Sequence, residues 1–153
     1  PEIVKRLRSL LKPEGYLCLI DLDYNCLGHY EMPEPMKALL PKLMTYMDDE
    51  FNFDTYAGRK LYSYLYDQKY QNIEVELMAH HLIYGEARHA DVFNWLKKVE
   101  IGTEKMQCFF KDYPGGAEAF IADFRKFFLD PRRFTYTPLI LCKGMRPHED
   151  AAG

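Results

Sequence analysis

Two carboxylates separated by one residue, Asp21 and Asp23, close the apolar run YLCLIDLD (residues 16–23). Side chains alternate along an extended chain, so both project from the same face. Such a pair can hold a substrate through hydrogen bonds or take a proton from it. The plainer role of an Asp at a strand end is to cap the turn that follows. Tyr24, His29 and Tyr30 come next, in a segment punctuated by Gly28 and Pro33. A segment leaving the end of a strand is a common place for binding groups, although an isolated imidazole in a loop is most simply a solvated one. Arg59 opens a later helical run, where it either contacts a substrate or pairs with Asp54 or Asp67 on the surface. The candidate substrate-binding residues are therefore Asp21, Asp23, Tyr24, His29, Tyr30 and Arg59, and none of them is assigned a catalytic role.

The elements that must position these groups follow from periodicity. Before the carboxylates, EIVKRLRSLLK (residues 2–12) carries Ile3, Val4, Leu7, Leu10 and Leu11 on one helical stripe, closed by Pro13 and Gly15. Residues 16–23 place apolar side chains on both faces, the pattern of a central strand covered on both sides. Residues 25–33 read as loop. In residues 34–51, Met36, Leu39, Leu40, Leu43, Met44 and Met47 keep the helical period, with Pro35 suited to a first turn. Pro41 predicts either a kink or a helix proper that starts near Ala38.

From Arg59 a helix presents Leu61, Tyr62, Leu65 and Tyr66, and the period then changes to two. Ile73, Val75 and Leu77 alternate with Glu74 and Glu76, predicting an edge strand over residues 73–82 with one face in the core and charges outward. A helix over residues 90–100 ends at Gly102, and another over 116–129 directs Phe120, Phe124, Phe127 and Phe128 inward before Asp130 and Pro131. The last strand spans 134–145, with regular pairing expected from Leu139 to Lys143, beyond Pro138.

Read in order, three segments resemble the C-terminal half of class I, Rossmann-like S-adenosylmethionine-dependent methyltransferases. RLRSLLKPEGYLCLIDLD (residues 6–23) is similar to the family's helix D to strand 5 junction. GRKLYSYLYDQKYQNIEVEL (58–77) resembles helix E and strand 6, and FTYTPLILCKGMRP (134–147) resembles the last strand with its basic, glycine-containing tail. The resemblance implies an α/β fold forming strands 5, 6 and 7 of a seven-stranded sheet, the last strand lying between the other two. Helical insertions would occupy residues 24–57 and 86–132 of a single domain, residues 1–153. It also implies methyl transfer to a small-molecule acceptor, with this part supplying acceptor pocket and lid.

The family's glycine-rich loop after its first strand has no counterpart here. Gly115 and Gly116 follow Tyr113 and Pro114 and read as a helix start. S-adenosylmethionine would thus be bound mainly by a missing N-terminal half, and no cofactor-binding residue is expected in this fragment, which begins at Pro1. The partners expected are a small-molecule methyl acceptor and either a second copy, giving a homodimer, or the missing half. The rival reading is a non-enzymatic α/β interaction or dimerisation module.

Composition narrows the partner classes. With 153 residues the chain can bury about 70% of its unfolded surface. A net charge of −3 gives no basic footprint for nucleic acid or for an anionic membrane. No apolar run reaches the ~20 residues of a transmembrane helix. Cys18, Cys26, Cys108 and Cys142 show no CxxC pair and read as reduced, mostly buried thiols, which fits a cytoplasmic setting. His80, His81 and His89 lack the Cys or carboxylate that would complete a zinc set, so no metal is expected.

Overall fold

The computed structural model describes residues 2–148; Pro1 and residues 149–153 lie outside it. In chain order the elements are α1 (Glu2–Leu10), β1 (Tyr16–Leu22), β2 (His29–Tyr30), α2 (Glu34–Phe51), α3 (Ala57–Asp67), β3 (Gln71–Tyr84), α4 (His89–Lys105), α5 (Gln107–Phe110), α6 (Gly116–Leu129) and β4 (Phe134–Met145). The fold is α/β with an open, antiparallel four-stranded sheet in which β4 pairs with β1, β2 and β3. The chain divides into two compact units. Unit 1 comprises Pro1–Asn25, Thr55–His80 and Thr137–Gly153; unit 2 comprises Cys26–Asp54 and His81–Tyr136.

In unit 1, β1 runs antiparallel to β4 from Tyr16 opposite Met145 to Leu22 opposite Leu139. Asp23 extends the ladder by donating its N–H to the Pro138 carbonyl at 3.0 Å, so Pro138, which lacks a donor, still serves as an acceptor. β3 takes the other edge, where Glu74 meets Lys143 at 2.9 Å. The core of this unit gathers Val4 of α1, Leu61 and Leu65 of α3, Tyr70 and Cys142, with Leu17, Leu19, Ile73 and Ile140 packed against it. Gly144 is required at its place because a Cβ there would meet Tyr70 Cβ at 2.9 Å. Arg146 holds the end of α1, since its guanidinium donates to the carbonyls of Arg8 (3.2 Å) and Leu11. The basic residue after the last strand is thus a long-range C-cap.

Two expectations for this unit need correction. β1 is covered on one face only: Leu17 and Leu19 pack inward, while Tyr16, Cys18 and Ile20 are exposed, Ile20 by 56%. Among the described residues β1 pairs only with β4, so here it is a margin and not a central strand. Likewise β3 has no buried face over Glu74 to Leu77. Val75 and Leu77 are more than half exposed, and of residues 73–77 only Ile73 packs against the core of this unit.

In unit 2 an aromatic core forms around Trp95, Phe110, Tyr113, Phe120, Phe124, Phe127 and Phe128, joined by Met32, Met36, Leu40, Leu43 and Met44. Each buried Phe contributes about 1.5–3 kcal/mol. α2 runs unbroken through Pro41, starting at Glu34 and not at Ala38. Met36, Leu40, Leu43 and Met44 are buried on both sides of the proline, and their combined burial exceeds the roughly 3 kcal/mol that an interior proline costs. α4 similarly continues past Gly102 to Lys105. Trp95, Leu96 and Thr103 are buried, and an interior glycine costs only ~1 kcal/mol. Residues 25–33, read as loop, contain β2, which pairs His29 with Thr135 and Tyr30 with Phe134; β4 therefore pairs on the N-terminal side of Pro138 as well. α6 begins at Gly116 behind Gly115, whose φ of 83° is the left-handed region that glycine reaches without strain.

Of the cysteines, all four are free, but only Cys142 is buried; Cys18 and Cys108 are exposed. Cys18 stays exposed for the same reason that Ile20 does.

Candidate functional site

Four of the six candidate residues, Asp21, Asp23, Tyr24 and Arg59, meet in unit 1 at the C-terminal end of β1. The meeting point is the start of α3. Gly58 lies against the strand end so closely that a Cβ would stand 3.0 Å from the Leu22 carbonyl oxygen and 3.1 Å from that of Asp21. Tyr56, the residue preceding α3, offers no side-chain cap. Asp23 supplies one from β1 instead, accepting the Arg59 backbone N–H at 3.3 Å.

The same carboxylate is gripped by the Arg59 side chain, with Nε at 2.8 Å from Oδ1 and Nη2 at 2.7 Å from Oδ2. This two-pronged bond to a carboxylate only 11% exposed is the strong form of the ion pair. The Arg59 guanidinium also lies over the Tyr56 ring, 4.4 Å from its centroid, and Tyr24 approaches that ring at 6.1 Å. Arg59 therefore pairs with Asp23. Asp21 differs from Asp23: it is exposed, and its Oδ1 accepts the Leu22 N–H at 2.8 Å. Of the two carboxylates, Asp23 is a structural clasp between β1 and α3, and Asp21 is the one that faces solvent.

Tyr24 adopts φ 53°, which is unusual for a bulky residue, and Asn25 follows with its N–H on the Thr55 carbonyl at 3.1 Å. Thr55 is itself buried, 3% exposed. Thr55, Tyr56 and Gly58 thus complete this end of the strand, although none of them was among the candidate residues. The signal was there in part, because a glycine directly before a helical stripe marks a close backbone approach.

His29 and Tyr30 belong to unit 2. His29 is no solvated loop residue. Its Nδ1 is 2.9 Å from Thr135 Oγ1, and its ring stands edge-on to Trp95 (5.1 Å), Phe127 (5.6 Å) and Phe124 (6.0 Å). Burial first, and the Arg133 charge second, together pull its pKa down from 6.5 to about 4, so the ring is neutral at pH 7. Its ring is thus enclosed by aromatic neighbours, while the residue as a whole keeps part of its surface exposed. Tyr30 is the reverse, 65% exposed, opposite Phe134.

Arg133 is the buried cation of this unit, 1% exposed. Its Nε donates to the Phe128 carbonyl at 2.7 Å and Nη2 to that of Gly85 at 3.1 Å, and the guanidinium lies 4.9 Å from the Phe128 ring centroid. Phe128 is in the last turn of α6, so Arg133 caps that helix from outside it.

The described residues do not fit S-adenosylmethionine as a complete cofactor site. The turn after β1 has the bulky Tyr24 where a close backbone approach needs glycine, and Gly28, the next one, is occupied by protein, since a Cβ there would sit 2.0 Å from the Tyr136 carbonyl oxygen. Gly115 precedes α6 and Gly116 opens it, and the element before them is the helix α5, not a strand. Among the described residues no three His, Cys, Asp or Glu side chains gather to hold a metal ion, and no helix is long and apolar enough to cross a membrane. Comparison of the sequence with protein-family models and with curated proteins returned no match.

Proposed function

We propose that this chain is the acceptor-side portion of an S-adenosylmethionine-dependent methyltransferase acting on a small molecule, in a cytoplasmic enzyme. The observation that carries the reading is the arrangement in unit 1. β4 pairs with β1 and β3, while among the described residues no strand pairs with the far edge of β1, and Tyr16, Cys18 and Ile20 on its outer face are exposed. A strand and a helix added there would continue the sheet towards the seven strands of the resembling family, and the cofactor would bind that added part. Asp21, Tyr24 and Tyr56 at the end of β1 would then line the acceptor side, with the Asp23–Arg59 clasp fixing their scaffold. Methyl transfer needs alignment above all, so a binding surface without a catalytic signature suffices on this side. The test is a calorimetric titration paired with a transfer assay. The isolated polypeptide should not bind S-adenosylmethionine at micromolar concentration. The polypeptide extended by the coding sequence upstream should bind it and transfer labelled methyl to a small-molecule acceptor. An extended polypeptide that does neither overturns the reading.

The bare edge also favours a second reading, a non-enzymatic module that dimerises through β1. Light scattering separates the two: the module is a dimer in every form, whereas the extended enzyme satisfies β1 internally and leaves it no role in association.

A further inference from the structure

We draw no further inference here: the strongest candidate, the exposed aromatic face that Tyr30, Tyr84, Phe134 and Tyr136 form on the strands of unit 2, carries nothing because nothing in the structure shows what covers it.

Discussion

Acid should loosen unit 2 through His29. A histidine whose pKa is held below its ordinary value in the folded state takes up its proton on unfolding, so the unfolded chain binds more protons as the pH falls. Stability is therefore complete above pH about 6.5, declines as the pH drops and levels off near pH 4. The span from 6.5 to about 4, at about 1.4 kcal/mol for each pH unit, amounts to about 3 kcal/mol. That is a large share of the 5–15 kcal/mol that typically holds a domain together. The cause is visible in the site: a protonated imidazole would sit among three aromatic rings and near the Arg133 guanidinium, with Thr135 Oγ1 as its hydrogen-bond partner.

Trp95 is the only tryptophan and lies 5.1 Å from the imidazole, so its fluorescence reports on this unit. Urea unfolding at half-unit steps from pH 7.5 to 4 should be run on the wild type and on His29→Asn, which places an amide near the Nδ1 position and cannot titrate. Carboxylates shared by both proteins cancel in the difference, which should grow by about 3 kcal/mol over that range. A flat difference would refute the reasoning. So would an imidazole resonance of His29 that titrates near 6.5 in the folded wild type, a measurement that needs no variant to fold.

The clasp at the end of β1 predicts that Asp23→Ala and Arg59→Met each destabilise unit 1, and that a double-mutant cycle gives a coupling of about 1–2 kcal/mol, moderated by the half-exposed Arg59. A coupling indistinguishable from zero in urea unfolding would show the pair to be incidental. Gly58→Ala should lower stability by about 1 kcal/mol or more although alanine is the better helix former by ~1 kcal/mol, because the atoms it would crowd are β1 carbonyls held in a ladder. A stabilised Gly58→Ala protein would mean that α3 shifts freely on β1. Arg133→Met should cost about 2–3 kcal/mol, read from the Trp95 thermal transition, since the Phe128 and Gly85 carbonyls lose a charged donor in a buried place.

The sequence disclosed most where a local pattern and its surroundings agreed. α6 was legible from its first residue to its last, because the phenylalanine stripe, the glycine start and the Asp-Pro stop all point one way. Gly102 misled, because its penalty of ~1 kcal/mol is overridden by burial of side chains on either side, and α2 likewise starts at Glu34 and continues through Pro41. β2 was invisible, since two residues carry no period and its strand character comes wholly from pairing with Thr135 and Phe134. At the site, Asp21, Asp23, Tyr24 and Arg59 were found by type and position, yet the Asp23–Arg59 bond joins residues 36 apart and no spacing announces it. His29 shows the limit most sharply: a loop-like neighbourhood in sequence became a strand residue set among aromatic rings in space.

The strongest support for a neighbour outside the described chain is a contrast between two edges. β3 carries Glu74 and Glu76, charges of the sort that blunt an exposed strand against pairing. β1 has none from Tyr16 to Ile20 and a single one, the exposed Asp21, near its end; it contains no proline, and its outer face at Tyr16, Cys18 and Ile20 is apolar. Charge is thus heavier on β3 than on β1, which is expected if β1 pairs along residues 16–20 and β3 does not. Ile20→Lys introduces the missing charge at an exposed position, where it costs the unit itself little. In the isolated polypeptide it should reduce association measured by light scattering. In the upstream-extended polypeptide the same lysine would be forced against the added layer and should lower the melting temperature by several degrees. An extended polypeptide indifferent to that lysine would show that the bare face stays bare, and the methyltransferase reading would fall with it.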